Sequence, residues 1–353
     1  MAKRTPKSIE QSPELDRIEG QPHPRETFHF AGQDEALGRA ARAIRSGRPP
    51  QGWLISGPPG VGKATLAYRI ARYILKYGAS ADGPADLAVA GNDSVSIQIA
   101  AKSHPGLLVL KRAPHPETGR MMTVLSVDEI RRLSSFFGLT SGAGGWRVAI
   151  IDTADDMNDQ AANALLKALE EPPPRALLLL LANAPGRLLP TIRSRCQRLM
   201  LGPMPASCLD TELAARVPAL SADERASLAR LAGGSLGLAL QLAAGDGVAL
   251  AAEAERLIDD AGAPDVVALL ALADRLGRMK AGLETLGEFL TVTLSERIRA
   301  RARRGDGDLK SWVEAWEKLA GSFRRTAALH LDPRQTVLSA GNVLSETARH
   351  GAL

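Results

Sequence analysis

The chain has 353 residues and a formal net charge of +5, with 45% hydrophobic, 24% charged and only 4% aromatic residues. This composition is that of a soluble globular protein of two or three domains. The longest aliphatic run, residues 176–182, is too short to cross a membrane, and two cysteines cannot build a disulfide framework, so we expect a cytoplasmic protein.

The first 26 residues are polar, contain proline and show no periodicity. They predict a disordered tail, residues 1–26, without a signal peptide, and ordered structure is expected to begin near Phe28. Apolar residues then recur at helical spacing from Ala36 to Ile44, and residues 47–50 contain the glycine and prolines that would end this helix.

A short apolar strand, residues 53–55, runs directly into a glycine-rich loop and a helix that should continue to about Leu75. This order is typical of a P-loop, in which backbone N–H groups converge on phosphate oxygens and a lysine reaches the β- and γ-phosphates. The candidate nucleotide-site residues of this segment are Gly57, Pro58, Gly60, Val61, Gly62, Lys63, Ala64 and Thr65.

The residue after the lysine argues against hydrolysis. A working P-loop has Ser or Thr there as a Mg²⁺ ligand, whereas Ala64 has no oxygen to offer. Thr65 is a poor substitute, because one step along a helix turns the side chain by about 100°. We therefore expect this loop to bind Mg²⁺ weakly.

Three further strands are predicted in this half of the chain, at residues 107–110, 148–151 and 177–181. Asp152, at the end of the 148–151 strand, has the position of a metal-binding acid. Amphipathic helices alternate with these strands, one of them capped by Asn158, and fully apolar strands indicate a parallel sheet covered on both faces. The predicted fold class is therefore α/β.

After about Pro203 the strand signal disappears and the sequence is helical to its end. A proline-containing break at residues 261–265 divides this helical part. We therefore expect a smaller helical domain up to about residue 260 and a C-terminal helical domain from 261 to 353.

Three segments resemble clamp-loader ATPases. Residues 163–173 resemble the signature that follows their metal-binding acid, Ser-Arg-Cys at 194–196 resembles their arginine-finger motif, and Asn183 lies where they carry their first sensor residue. The chain resembles the delta-prime subunits of bacterial DNA polymerase III clamp loaders, within the AAA+ family. The resemblance is dense over residues 28–205 and weaker beyond, where residues 331–338 resemble the last collar helix.

This resemblance implies an architecture and a set of partners. The expected domains are an AAA+ P-loop domain with a parallel sheet (27–204), a small helical lid (205–260) and an all-helical collar (261–353). The expected partners are the gamma/tau motor and delta subunits in a hetero-oligomeric ring. The sliding clamp and primer-template DNA would be reached through that complex, and no membrane contact is expected.

Departures from the motor subunits indicate a degenerate ATPase site. Motor subunits have Ser or Thr after the lysine, Glu after the metal-binding Asp and Arg in the lid, where this chain has Ala64, Thr153 and Gly237. Asp155 or Asp156 supplying the missing base is the alternative. No autonomous ATPase activity is expected. Many relatives hold zinc with four cysteines in the insertion at 78–105, which here has none, so no zinc is expected.

Arg195 is the residue that the resemblance marks as catalytic in trans, in the ATP site of the next subunit; the alternative is an ordinary surface arginine. Cys196 is interpreted as a packing residue. For Lys63 two interpretations stay open: ATP or ADP bound without hydrolysis, or a loop kept for packing alone. The opposing hypothesis for the whole chain is a catalytically active AAA+ motor, either gamma/tau-like or DNA-remodelling.

The arginines between Arg297 and Arg304 are the densest basic cluster of the sequence. Two interpretations apply, a solvated helix face or a contact with a partner or DNA.

Overall fold

The computed structural model describes residues 17–112, 122, 124–138, 145–279, 281–305, 309–329 and 331–349. The first 16 residues of the predicted disordered tail lie outside this range. Two compact units are present. The first comprises the chain up to Leu209 together with Gly234–Leu238, and the second comprises Asp210–Gly233 together with the chain from Ala239.

The first unit is built on a five-stranded parallel sheet with the strand order β2-β3-β4-β1-β5. Its strands are β1 (Gly52–Ser56), β2 (Leu107–Leu110), β3 (Arg147–Ile151), β4 (Ala176–Ala182) and β5 (Gln197–Met200). Its helices are α1 (Asp34–Arg45), α2 (Lys63–Tyr77), α3 (Ser94–Ala100), α4 (Val127–Gly138), α5 (Asp159–Glu170) and α6 (Pro190–Arg195). The predicted α/β fold and its four strands are confirmed.

Alternate residues of the central strands enter separate cores on the two faces of the sheet. Leu177 and Leu179 of β4 pack with α1 and α2, whereas Leu178 and Leu180 pack with α4 and α5. Both faces are therefore buried, as the uninterrupted apolar strands indicated. The predicted cap of α5 is also present, since Asn158 Oδ1 accepts a hydrogen bond from the Ala161 amide at 2.9 Å.

The fifth strand, β5, was not predicted from the sequence. It pairs in parallel with β1 at the edge of the sheet, and Leu199 is its one buried residue. Its first two residues are polar and three of its four residues are exposed, so its sequence pattern does not distinguish it from a loop.

Ordered structure begins earlier than predicted, because buried arginines of α2 bind the backbone of the preceding segment. Arg72 donates to the Arg25 carbonyl at 2.6 Å and lies 4.5 Å from the centre of the Phe28 ring, and Arg69 donates to the Phe28 carbonyl at 2.8 Å. A short 3-10 helix at Pro24–Glu26 results. The prediction of disorder up to residue 26 is wrong for this helix.

The second unit is all-helical and has one hydrophobic core. Its helices are α8 (Ala222–Leu231), α10 (Gly247–Asp259), α11 (Val266–Leu276), α12 (Gly282–Arg304), α13 (Lys310–Leu329) and α14 (Pro333–Ala348), while α7 (Ala206–Arg216) and α9 (Leu236–Ala244) each have residues in both units. The predicted break near residue 261 is present as a 3-10 helix, Asp260–Gly262.

The predicted boundary between lid and collar does not separate two compact units. Helix α10, on the lid side, packs along α12, on the collar side, and Leu250 and Ile258 share a core with Leu286 and Phe323. The division into three domains stays a prediction from family resemblance.

Within the described residues, no single helix has both the length and the apolar character to cross a membrane. The segments Leu236–Ala244 and Gly247–Gly262 meet those criteria only as a pair bent by 92°.

Candidate functional site

The loop between β1 and α2 has the backbone that its glycines predict. Gly60 and Gly62 have φ of +76° and +101°, in the region that favours glycine. A Cβ atom on Gly57 would lie 2.3 Å from the Leu201 carbonyl oxygen, and one on Gly60 would lie 2.4 Å from Ser235 Oγ. Side chains are therefore excluded, and the loop has the strand–loop–helix geometry of a P-loop.

All three N–H donors of the Lys63 ammonium group are occupied by this chain. Its Nζ donates to the carbonyls of Gly57 and Pro58 at 2.8 and 2.7 Å, and to Asn183 Oδ1 at 2.7 Å. Burial lowers the pKa of Lys63 from its ordinary 10.5 to about 8, while the carboxylates of Asp152 and Asp155 oppose that shift. A phosphate group would have to replace these internal bonds.

Asp155 positions the turn that carries Asn183. It is 6% exposed, and its Oδ2 accepts hydrogen bonds from the backbone amides of Asn183 and Ala184 at 3.1 and 2.7 Å. Its Oδ1 is buried without a hydrogen-bond partner among the described residues. Asp155 thus orients the residue that contacts Lys63.

Two features beside Asp152 bear on whether the loop can hold Mg²⁺. Thr153 has φ of +53°, and its hydroxyl donates to the Asp152 carbonyl at 2.7 Å. Ala64 and Asp152 line a cavity of about 480 Å³, into which Ala64 brings no oxygen ligand. In the part of the chain that is described, His, Cys, Asp and Glu form no group of three or more able to hold a metal ion.

A short segment of the same unit, Gly234–Leu238, packs on the P-loop. Ser235 Oγ donates to the Pro59 carbonyl at 2.8 Å, and the Gly237 amide donates to the Gly60 carbonyl at 2.9 Å. A Cβ on Gly237 would lie 2.7 Å from the Gly60 Cα. In this arrangement, the position where motor subunits have arginine has no space for a side chain.

Arg195 lies near the amino ends of the strands, which we call the amino edge of the sheet, whereas the P-loop lies at their carboxyl ends, the carboxyl edge. It precedes β5, whose first residue, Gln197, is level with Trp53 near the amino end of β1. The P-loop follows the carboxyl end of β1, about 16 Å further along a five-residue strand. An arginine side chain cannot span that distance, so Arg195 does not reach the phosphate site of its own chain.

The guanidinium of Arg195 is exposed and makes two hydrogen bonds within the chain. Its Nη1 donates to the Thr191 carbonyl at 3.1 Å, and its Nη2 donates to Glu170 Oε1 at 2.8 Å. The two side chains are 38% and 49% exposed. Two of the five guanidinium N–H groups are thereby used, and Arg195 can still bind an external anion. Next to it Cys196 is buried, which raises the pKa of its thiol to about 11, as expected of a packing residue.

The structure brings together Lys63, Asn183 and Asp152 at the carboxyl edge, as predicted, and separates Arg195 from them. Sequence reasoning missed Glu170, Asp155 and Ser235 as partners of these groups. The signal for Glu170 was its place in the motif at 163–173, but nothing local indicated that it contacts an arginine 25 residues later.

Comparisons with known proteins identify relatives of the P-loop unit. A family model described as "DNA polymerase III, delta subunit" matches residues 32–205. The chain is 38% identical over 184 residues to the DNA polymerase III subunit delta' of Pseudomonas aeruginosa, covering 52% of each chain. It is 35% identical over 204 residues to that of Escherichia coli, covering 58% of each.

A DNA polymerase III subunit tau from Bacillus subtilis is 31% identical over 173 residues, which cover 47% of this chain and 27% of that protein. The chain spans about half the length of the delta' relatives that it matches. Over residues 32–205, which contain the P-loop and Arg195, the chain is similar to DNA polymerase III delta' subunits.

Proposed function

We propose that this chain is a delta-prime-type clamp-loader subunit that helps to load the sliding clamp on primed DNA. In this role it supplies Arg195 to the ATP site of a neighbouring subunit. Its own P-loop hydrolyses no ATP and requires no nucleotide or zinc.

One observation carries the proposal: Arg195 is exposed at the edge of the sheet opposite its own P-loop. A guanidinium in that position can serve only a phosphate that another chain binds. On the γ-phosphate of a neighbour it would stabilise the charge that develops in the transition state, an effect of about 10³ to 10⁵ in rate.

Three features support the proposal that the chain's own site does not hydrolyse ATP. Ala64 offers Mg²⁺ no oxygen, Thr153 has no carboxylate to activate water, and the donors of Lys63 are already bonded internally. The first two features each remove a requirement of hydrolysis, and the third means that a phosphate group must displace hydrogen bonds within the chain.

The family supports the partners that we propose. Relatives that match the P-loop unit are delta' and tau subunits of DNA polymerase III. We therefore place the chain in a cytoplasmic ring with gamma/tau motor subunits and delta. In that ring, contact with the clamp and primer-template DNA is made by the whole complex.

The test is Arg195→Ala in the assembled clamp loader, measured as DNA-stimulated ATP hydrolysis. The ATP site next to this chain should lose about a thousandfold or more of its rate, with the ring still assembled. Arg198→Ala is the matched control, because Arg198 is also exposed and lies three residues along the same edge. Unchanged turnover in the Arg195→Ala ring would refute the arginine-finger role.

The opposing hypothesis, an active AAA+ motor, is tested with the isolated chain and Mg-ATP. Turnover that Lys63→Ala abolishes would establish it and overturn the proposal.

A further inference from the structure

The last turns of α12 carry the densest positive charge of the chain. Five arginines fall within the eight residues from Arg297 to Arg304, and no acidic residue lies among them. The whole chain has 44 basic and 39 acidic side chains. Outside this segment the basic and acidic side chains are therefore equal in number, with 39 of each. The excess positive charge of the chain is thus equal to the charge of this one segment.

The structure presents three of these arginines to solvent. Arg299, Arg303 and Arg304 are exposed, whereas Arg297 pairs with Asp259 Oδ1 at 2.5 Å. Arg299 and Arg303 are one helical turn apart, which places them on one face about 6 Å from each other. The helix is anchored just before them, because Leu294 is buried in the core of the unit.

A further basic residue lies at the same end of the helix pair. Helix α12 packs along α13, which starts with the exposed Lys310 only six residues after Arg304. Asp306 and Asp308 in the connecting segment offset part of this charge. The exposed basic residues Arg299, Arg303, Arg304 and Lys310 form what we term the α12 basic end.

We propose that the α12 basic end binds the phosphodiester backbone of a nucleic acid. Arginine suits this ligand, because its planar guanidinium makes paired hydrogen bonds to phosphate oxygens. Neighbouring phosphates of a strand recur every few ångströms, so side chains one helical turn apart contact separate phosphates. The contact reads no base sequence. This surface belongs to the helical unit and does not depend on the Arg195 proposal.

The test measures binding of the full-length chain to a labelled oligothymidylate and to a blunt DNA duplex, by fluorescence anisotropy at 50 to 200 mM KCl. The variant combines Arg299→Gln, Arg303→Gln and Arg304→Gln. A plot of log affinity against log salt concentration has a negative slope. Loss of three phosphate contacts should make this slope less steep by about 2 for the single strand and about 3 for the duplex. Arg303→Gln alone should reduce the steepness by about a third as much.

The control removes the same charge at the other end of the helix pair. It combines Lys318→Gln, Arg324→Gln and Arg325→Gln, all exposed on α13, where the nearby Phe323 packs against Gly287 near the start of α12. We expect the control to keep the wild-type slope, and all variants to keep the wild-type unfolding midpoint.

Equal losses in variant and control would overturn the proposal, because they would reflect net charge alone. Failure of the wild-type chain to bind either DNA at 50 mM KCl would also overturn it. A third arm uses phosphatidylserine vesicles: if the variant loses vesicle binding but retains DNA binding, the surface is a lipid site and the proposal is wrong.

Discussion

At the carboxyl edge of the sheet, Lys63, Asn183 and Asp155 bond to one another or to the local backbone. At the amino edge, Arg195 is exposed and has most of its donors available. The first edge has the residues of a nucleotide site, with the Lys63 ammonium group bonded within the chain, whereas the second has one exposed cation with N–H donors available. This difference underlies our proposal that the P-loop of this chain maintains structure and that the opposite edge supplies the reactive group.

The largest effect should come from changing the shape of the cation at the amino edge. In the assembled loader, Arg195→Lys should lower the ATPase rate of the neighbouring site by about 10² or more. Lysine keeps the charge but lacks the planar fork that binds two phosphate oxygens. DNA-stimulated hydrolysis measures this, with Arg198→Lys as control. A rate above half of wild type would show that charge alone suffices.

At the carboxyl edge, Asp155→Ala should destabilise the P-loop unit by about 1–3 kcal/mol, because it removes the buried carboxylate that accepts hydrogen bonds from the Asn183 and Ala184 amides. Hydrogen exchange of the β3 and β4 amides reports on this unit. The control is Asp156→Ala, whose ion pairs to Arg112 and Arg187 are 3.5 and 3.7 Å long and should contribute under about 1 kcal/mol. Equal effects would contradict a special role for Asp155.

Lys63 should give the P-loop unit a pH dependence. The pKa of Lys63 is about 8 in the folded chain and near 10.5 in the unfolded chain. Between pH 8 and pH 10.5 the unfolded chain therefore binds more protons than the folded chain. The free energy of unfolding should therefore rise with pH across that window, by up to about 3 kcal/mol. Subtracting the Lys63→Met profile from the wild-type profile isolates this contribution. A flat difference between pH 8 and 10 would contradict the assigned burial.

The smallest effect should come from Glu170→Gln, which keeps a hydrogen-bond acceptor for Arg195 and removes the charge. An exposed ion pair contributes under about 1 kcal/mol, so stability should change little. ATP hydrolysis by the assembled loader should stay within about fivefold of wild type, because Arg195 must contact phosphate whether or not it is bonded to Glu170. A loss as large as that of Arg195→Ala would assign Glu170 a direct part in the neighbour's site.

Much of the first unit could be predicted from the sequence, because its strands are continuous apolar runs and the P-loop has a fixed order of strand, glycines and lysine. The exposed edge strand β5 could not, since only Leu199 is buried there. Two contacts between distant segments could not be predicted either. Arg72 donates to the backbone near Pro24, and Asp155 accepts hydrogen bonds from the turn at Asn183. These depend on tertiary packing and leave no local pattern.

For the helical unit, the break near residue 261 was predictable from its proline, but its consequence was not. Whether a break separates domains depends on which helices share a core, and α10 packs on α12 across it. The α12 basic end was visible as a charge run, whereas the exposure of Arg299 and Arg303 required the structure.

The most direct test of the account compares the two edges in one assembled loader, with Arg195→Ala in one preparation and Lys63→Ala in another. We predict that Arg195→Ala abolishes hydrolysis at the neighbouring site and that Lys63→Ala leaves DNA-stimulated ATP turnover at the wild-type rate. Loss of turnover in the Lys63→Ala loader, with the Arg195→Ala loader unaffected, would contradict it.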